Sequence, residues 1–107
     1  MLLLSINEIL KEIEEKFRHS PAEIKEVLIF GSVARGDYKQ FSDVDLAVVY
    51  SDYKVAKEFA EDVADYIYLK YSVPVTVIYI DEKDFLSNRT SFIRTIKCEG
   101  KVIWRRD

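Results

Sequence analysis

A chain of 107 residues that is 49% hydrophobic, 13% aromatic and 33% charged can bury one core and is too apolar for disorder. Its formal net charge of −3 is too mild to draw nucleic acid or an anionic membrane by bulk electrostatics. The lone Cys98 excludes an internal disulfide framework and any cysteine-based zinc site.

The first predicted element is a helix. Ser5, Ile6, Asn7 and Glu8 have capping-box spacing, and Ile6, Ile9, Leu10, Ile13 and Phe17 follow at helical intervals. The opening MLLLS is far shorter in its apolar run than a signal-peptide core and leads straight into that charged helix. His19 has no second His or Cys nearby and reads as a surface residue at the helix end. Residues 20–23 (SPAE) are expected to start another short helical turn.

Residues 26–32 (EVLIFGS) form a short apolar run stopped by Gly31, the pattern of a buried strand, and Val33, Ala34 and Arg35 read as the first turn of a helix. Residues 43–50 (DVDLAVVY) are a second strand, rich in β-branched side chains. A long helix is expected over 53–71, with a broad apolar face from Val55, Phe59, Val63, Ile67 and the alanines at 56, 60 and 64. Tyr66, Tyr68 and Tyr71 read as core edges ahead of a partner-binding face.

Residues 73–80 (VPVTVIYI) are a third strand, with Pro74 near its start where a missing N–H is tolerated. Residues 84–98 are expected as one helix closed by Gly100 at its C-cap, carrying Cys98 as a partly buried thiol. A last extended piece (KVIW) and a solvated tail at Arg105 and Arg106 end the chain. No stretch nears the about 18 apolar residues needed to span a bilayer.

This order of elements predicts a single α/β domain over residues 1–107, a small mixed β-sheet with helices packed on it. The second strand follows GSVARG too soon for a parallel crossover. The long helix allows the third strand either direction.

Two features point to chemistry. Gly31 and Ser32 follow a strand directly and open a helix, where free backbone N–H groups and the positive end of the helix dipole make an anion site. The structural alternative is a tight turn with Ser32 as helix cap. Asp43 and Asp45 stand two apart on a strand and so project to one face, with Val44, Leu46 and Val48 on the opposite alternation. Paired carboxylates at a sheet surface call for a cation, and hard oxygen ligands favour Mg²⁺. An anion cradle and a carboxylate pair about ten residues apart describe a site for a magnesium-bound nucleoside triphosphate.

G-S-x-A-R-G followed by S-D-x-D-L, carried by Gly31, Ser32, Ala34, Arg35, Gly36, Ser42, Asp43, Asp45 and Leu46, resembles the signature of the minimal nucleotidyltransferases of the MntA-like antitoxin type, in the DNA polymerase beta superfamily. The resemblance covers nearly the whole chain, to an ending (IKCEGKVIW) similar to the family's I-x-x-E-G-x-x-hydrophobic close. It implies a polymerase beta-like nucleotidyltransferase fold in a cytoplasmic protein. The implied reaction is transfer of NMP from an NTP, with ATP the expected donor, to a hydroxyl, with pyrophosphate leaving.

In that reading Asp43 and Asp45 are catalytic and hold Mg²⁺, and Gly31, Ser32, Arg35 and Ser42 bind the nucleotide. Arg35 either steadies the phosphates or salt-bridges to Asp37. The implied partners are the NTP and a helical HEPN-type protein of a toxin–antitoxin pair. A homo-oligomer stays open, and neither membrane nor nucleic acid is expected.

One departure stands out. The family's active enzymes use a third carboxylate on the next strand, and none lies inside residues 73–80. Thr76 is the polar residue nearest the expected place, and its hydroxyl is neither a general base nor a charged Mg²⁺ ligand. Asp81 lies five residues further, about 16 Å of extended chain. The alternative is therefore a catalytically degenerate member that binds nucleotide or partner as a regulatory module.

Overall fold

Alternating apolar residues on the strands give the sheet two faces to bury, and helices cover both. The structure, a computed structural model, describes residues 2–36 and 43–107, without the side chains of residues 2–5. In chain order the elements are α1 (Leu2–Arg18), β1 (Ile24–Phe30), α2 (Gly31–Arg35), β2 (Val44–Tyr50), α3 (Tyr53–Tyr71), β3 (Val75–Asp81), α4 (Glu82–Ser87), α5 (Ser91–Glu99) and β4 (Lys101–Arg105). The four strands form one sheet in the order β3-β2-β1-β4. β1 runs antiparallel to β2 and β4, whereas β2 and β3 are parallel, with α3 as the crossover between them.

On one face Val27, Ile29, Val44, Leu46 and Val48 pack beneath Ile9, Ile13 and Phe17 of α1 and Ala56, Ala60, Val63 and Ile67 of α3. Phe17 meets Phe59 edge to face at 5.4 Å, closing the contact between the two helices. The opposite face presents Leu28, Ala47, Val49 and Ile80 to Phe85 of α4 and to Ile93 and Ile96 of α5, with Phe30 and Ile78 packed against them. Leu46, Val48, Ile13 and Phe17 are all sealed from solvent, so the predicted stripes of α1 and α3 and the alternation of β2 hold as read.

Several boundaries differ from the sequence expectation. α1 begins at Leu2, so Ser5 lies inside the helix; leucine is a strong helix former, and nothing before Ser5 interrupts the run. Residues 20–23 make one turn, closed by Ile24 N–H donating to the Pro21 carbonyl at 3.0 Å, and pass directly into β1. The expected helix over 84–98 is two. Asn88 adopts the left-handed conformation (φ 54°) that closes α4, and the Thr90 hydroxyl accepts from Ile93 N–H at 3.1 Å to open α5. Cys98 is exposed, because Ile93 and Ile96 set the buried side of α5 and position 98 falls away from it. Gly100 does close α5 but in extended conformation, and a Cβ there would stand 2.5 Å from the Ile96 carbonyl oxygen and 3.0 Å from that of Ile29.

Arg105 and Arg106 are not a solvated tail. Arg105 ends β4 and pairs with Glu26 at 3.1 Å, an arginine exposed enough for the pair to add about 1 kcal/mol or less. Arg106 contributes more. Its guanidinium donates to the carbonyls of Ser20, Pro21 and Ile24 and to the Ser20 hydroxyl, and lies 4.7 Å from the Trp104 ring. Hydrogen bonds from a charged donor are worth about 1.5–3 kcal/mol each, so Arg106 straps the turn between α1 and β1.

His19 sits exposed at the end of α1 beside Glu15, as expected. The tyrosines divide: Tyr66 and Tyr68 reach solvent, while the half-buried Tyr71 joins a polar seam between α1 and α3. There Glu12 Oε1 accepts from Lys70 Nζ at 2.5 Å and Tyr71 Oη at 2.7 Å. The hydrogen bonds from Lys70 and then Tyr71 hold the Glu12 carboxyl below its ordinary value, against the opposing effect of burial. A depressed folded-state value contributes stability that is present above the unfolded value of 4.5 and is lost as pH falls through the folded one. Glu12→Gln is accordingly expected to lower the melting midpoint at neutral pH. The gap from wild type should narrow as melts are taken below pH 4.5 and close once the pH lies below the depressed folded value, where both side chains are neutral.

Candidate active site

The turn from β1 into α2 has no spare residue. Phe30 ends the strand in extended conformation and Gly31 begins the helix at φ 75°, a left-handed conformation that glycine adopts without strain. Phe30 is the N-cap and offers no side-chain cap bond, so Ser32 lies within the first turn of α2 and is not the cap. Gly36, also left-handed, ends α2 with its N–H on the Val33 carbonyl at 3.2 Å.

The β1–β2 register brings the carboxylates to this turn. Phe30 is the cross-strand partner of Asp45, so both side chains leave the same face of the sheet. A methyl group built on Gly31 would overlap Asp45 Oδ2 and stand 3.3 Å from its Cγ. The carboxylate therefore lies against the start of α2, and the predicted convergence of the glycine turn with Asp45 is present. Asp43 is exposed one residue before β2. Burial first, and the Asp43 charge second, push the Asp45 carboxyl above its ordinary value. Among the described residues, no ion pair or hydrogen bond holds either aspartate side chain.

On the other side of Asp45, the parallel register sets Thr76 directly beside it. Thr76, Asp45 and Phe30 thus form a row across the sheet, on the face that α4 and α5 cover further along. Thr76 is exposed, and no carboxylate replaces it. Asp81 ends β3 opposite Tyr50, at the far end of the pairing, where its side chain caps α4 by accepting from Lys83 N–H at 2.8 Å. Among the described residues no group of three or more His, Cys, Asp or Glu side chains gathers as a metal cluster. The pair alone still suits a hard divalent cation that takes its remaining ligands from phosphate and water, and such a cation would offset the burial, and then the Asp43 charge, that disfavour ionised Asp45.

Of the other predicted site residues, Ser42 and Arg35's alternative partner Asp37 lie outside the described residues. Arg35 ends α2, and its Nη1 is 3.7 Å from Glu99 Oε1 of α5. Glu99 was not singled out as a site residue, although it is the Glu of the I-x-x-E-G ending. Phe92 was also missed: its ring meets Phe30 edge to face at 6.3 Å, beside the Asp45 row. A single aromatic at the start of a short helix carries no signal in the sequence; only the strand register places it.

Residues 11–107 match the family model described as polymerase beta, nucleotidyltransferase. Over 101 residues the chain is 33% identical to a Methanocaldococcus jannaschii protein named "putative protein adenylyltransferase", covering 94% of this chain and 95% of that one. A chain of a toxin–antitoxin crystallised with AMP-PNP superposes with a TM-score of 0.63 at 21% identity, over 92% of this chain and 74% of its own. A chain from the complex of a tri-AMPylated Shewanella oneidensis HEPN toxin with MNT antitoxin gives 0.56 at 20% identity, over 99% and 74%. At these identities the solved structures speak for the fold.

The double constraint on Gly31 can be separated by a mutant cycle. Gly31→Ala is expected to cost about 1–2 kcal/mol from the left-handed backbone alone, and more from the overlap with Asp45. In an Asp45→Ala background only the backbone part should remain. Chemical denaturation of the four proteins measures this, and strictly additive losses would mean that Asp45 does not press on Gly31.

Proposed function

The chain belongs to the polymerase beta nucleotidyltransferase family, and from that premise we propose that it binds magnesium-bound ATP at the Gly31–Asp45 junction and transfers AMP to a hydroxyl of a protein partner. The observation that carries this reading is the contact itself: an acidic side chain packed against the opening turn of a helix, with a second aspartate two residues away. An anion site and a cation site side by side suit a phosphate chain bridged by a metal ion and suit little else.

Each residue has a task in this reading. Backbone N–H groups at Gly31 and Ser32, with the Ser32 hydroxyl, donate to the phosphate tail. Arg35 steadies the phosphates from the end of α2. Asp43 and Asp45 hold Mg²⁺, which when bound neutralises charge on the phosphates and orients the α-phosphorus. The acceptor hydroxyl oxygen forms a bond to that phosphorus as the bond to the β-phosphate oxygen breaks, and pyrophosphate leaves with the electron pair. Thr76 cannot take the hydroxyl proton, and in this reading water or a base that the acceptor brings accepts it. The adenylyl group and the protein acceptor are supported by the relative named as a protein adenylyltransferase. A helical HEPN-type partner is supported by the neighbour that sits with an AMPylated HEPN toxin.

One observation favours a second reading. Thr76 stands in register with Asp45, where a third carboxylate would complete the metal shell, so the protein could hold nucleotide and act by occupancy alone.

Two measurements test the primary reading and separate it from the second. Calorimetric titration should show Mg-ATP binding that Asp43→Asn with Asp45→Asn abolishes; binding unchanged in the double variant would overturn the site. At 100-fold excess over Kd, the nucleotide should stabilise the wild type by about 2.7 kcal/mol, a rise in melting midpoint of about 10 °C or more. Transfer is then read with α-labelled ATP and a HEPN-type acceptor. Label on the acceptor supports transfer by the wild type. A wild type that binds but leaves the acceptor unlabelled, beside a Thr76→Asp variant that labels it, would establish the occupancy reading.

A further inference from the structure

Phe92 is more than half exposed, at 52%, although α5 has two isoleucines buried one and four residues further on. Two contacts fix where its ring stands. It meets Phe30 edge to face at 6.3 Å and 88°, and Phe30 is the cross-strand partner of Asp45 on the same face of the sheet. Glu99 lies seven residues after Phe92, two helical turns on and so on nearly the same side of α5, and it reaches Arg35 of α2. That side of α5 therefore meets the end of β1 through Phe92 and the end of α2 through Glu99. Phe92 stands beside Phe30, at one end of the row that Asp45 and Thr76 continue across the sheet. Leu69 and Leu86, the most exposed apolar side chains, have no comparable link to the carboxylates.

We propose that Phe92, backed by Phe30, is the platform on which the base of the nucleoside triphosphate stacks. The inference rests on the reading of the Gly31–Asp45 junction as a triphosphate site and adds which protein group receives the other end of the ligand. A phenyl ring held upright by a second ring gives a base a flat apolar surface at little entropic cost. Stacking of this kind accepts any base, since each has a π-face. The phosphates and the metal would then supply the anchor, and the ring would set the direction in which the nucleoside lies.

The test compares Mg-ATP with inorganic tripolyphosphate plus Mg²⁺, which has the phosphate chain and no base, by titration calorimetry. Phe92→Ala is expected to weaken ATP about tenfold, the size of one base stack, and to leave tripolyphosphate unchanged. Phe92→Trp should restore ATP binding, with its indole fluorescence quenched on addition. Equal losses for both ligands, or no loss for ATP, would overturn the platform. So would a variant that keeps ATP and loses only transfer to a protein acceptor, since Phe92 would then touch the acceptor. If the wild type binds neither ligand, the triphosphate reading falls and the platform with it. If Asp43→Asn with Asp45→Asn loses ATP while Phe92→Ala keeps it, the platform alone is wrong.

Discussion

The arrangement turns on one close approach, the Asp45 carboxylate lying where a side chain on Gly31 would have to be. Two independent features of the chain produce it. The missing side chain lets the strand turn at once into α2, and the β1–β2 register sets Asp45 opposite Phe30. A slip of one residue in that register would turn every side chain of β2 over, sending Asp45 into the core beneath α1 and α3 and Leu46 and Val48 to the face under α4 and α5. The apolar alternation of β2 is thus what aims the carboxylate. Packing on one face of the sheet fixes the chemistry on the other.

That second face is used unevenly. α4 and α5 cover it over Leu28, Ala47, Val49 and Ile80, while Thr76 and Asp43 remain exposed at the end nearest α2. The interruption at Asn88 and Thr90 lets two short helices fold over the sheet where one long helix would have run past it. The charge held at the open end has an energetic consequence. Burial and then Asp43 act against ionisation of Asp45, so in the absence of a cation its charge is a burden on the fold. A carboxylate kept at such a disadvantage is what the proposed cation would relieve.

Much of this was legible in the sequence, for physical reasons that differ by element. The stripes of α1 and α3 repeat over enough turns to define a buried side, and α3 runs from Tyr53 to Tyr71 as its periodicity predicts. The glycine turn and the aspartate pair were legible because left-handed backbone and adjacent like charges are both uncommon without a reason. The split of the last helical segment was signalled by Asn88 and Thr90, a stop and a start that apolar periodicity alone overrides. Other features depend on long-range pairing that no local pattern encodes. The parallel direction of β3, the clasp of Arg106 on the α1–β1 turn, the Arg35–Glu99 contact and the Phe30–Phe92 pair all join residues that only the finished sheet brings together.

Thr76 links the sequence and the site. Its place beside Asp45 follows from the parallel register, and its chemistry from its hydroxyl. Binding a metal-bridged triphosphate asks for charge and for backbone donors, which Asp43, Asp45 and the start of α2 offer. Activating an acceptor asks for a base, and Thr76 offers none. In the proposed reading the two demands fall on different residues, so nucleotide capture and group transfer would be separable by a change at Thr76 alone. With Thr76 where a base would stand, the burden of the proposed transfer would shift to whatever brings the hydroxyl. In that reading the acceptor, rather than the nucleotide, would be the partner whose own groups decide how fast the proposed reaction runs.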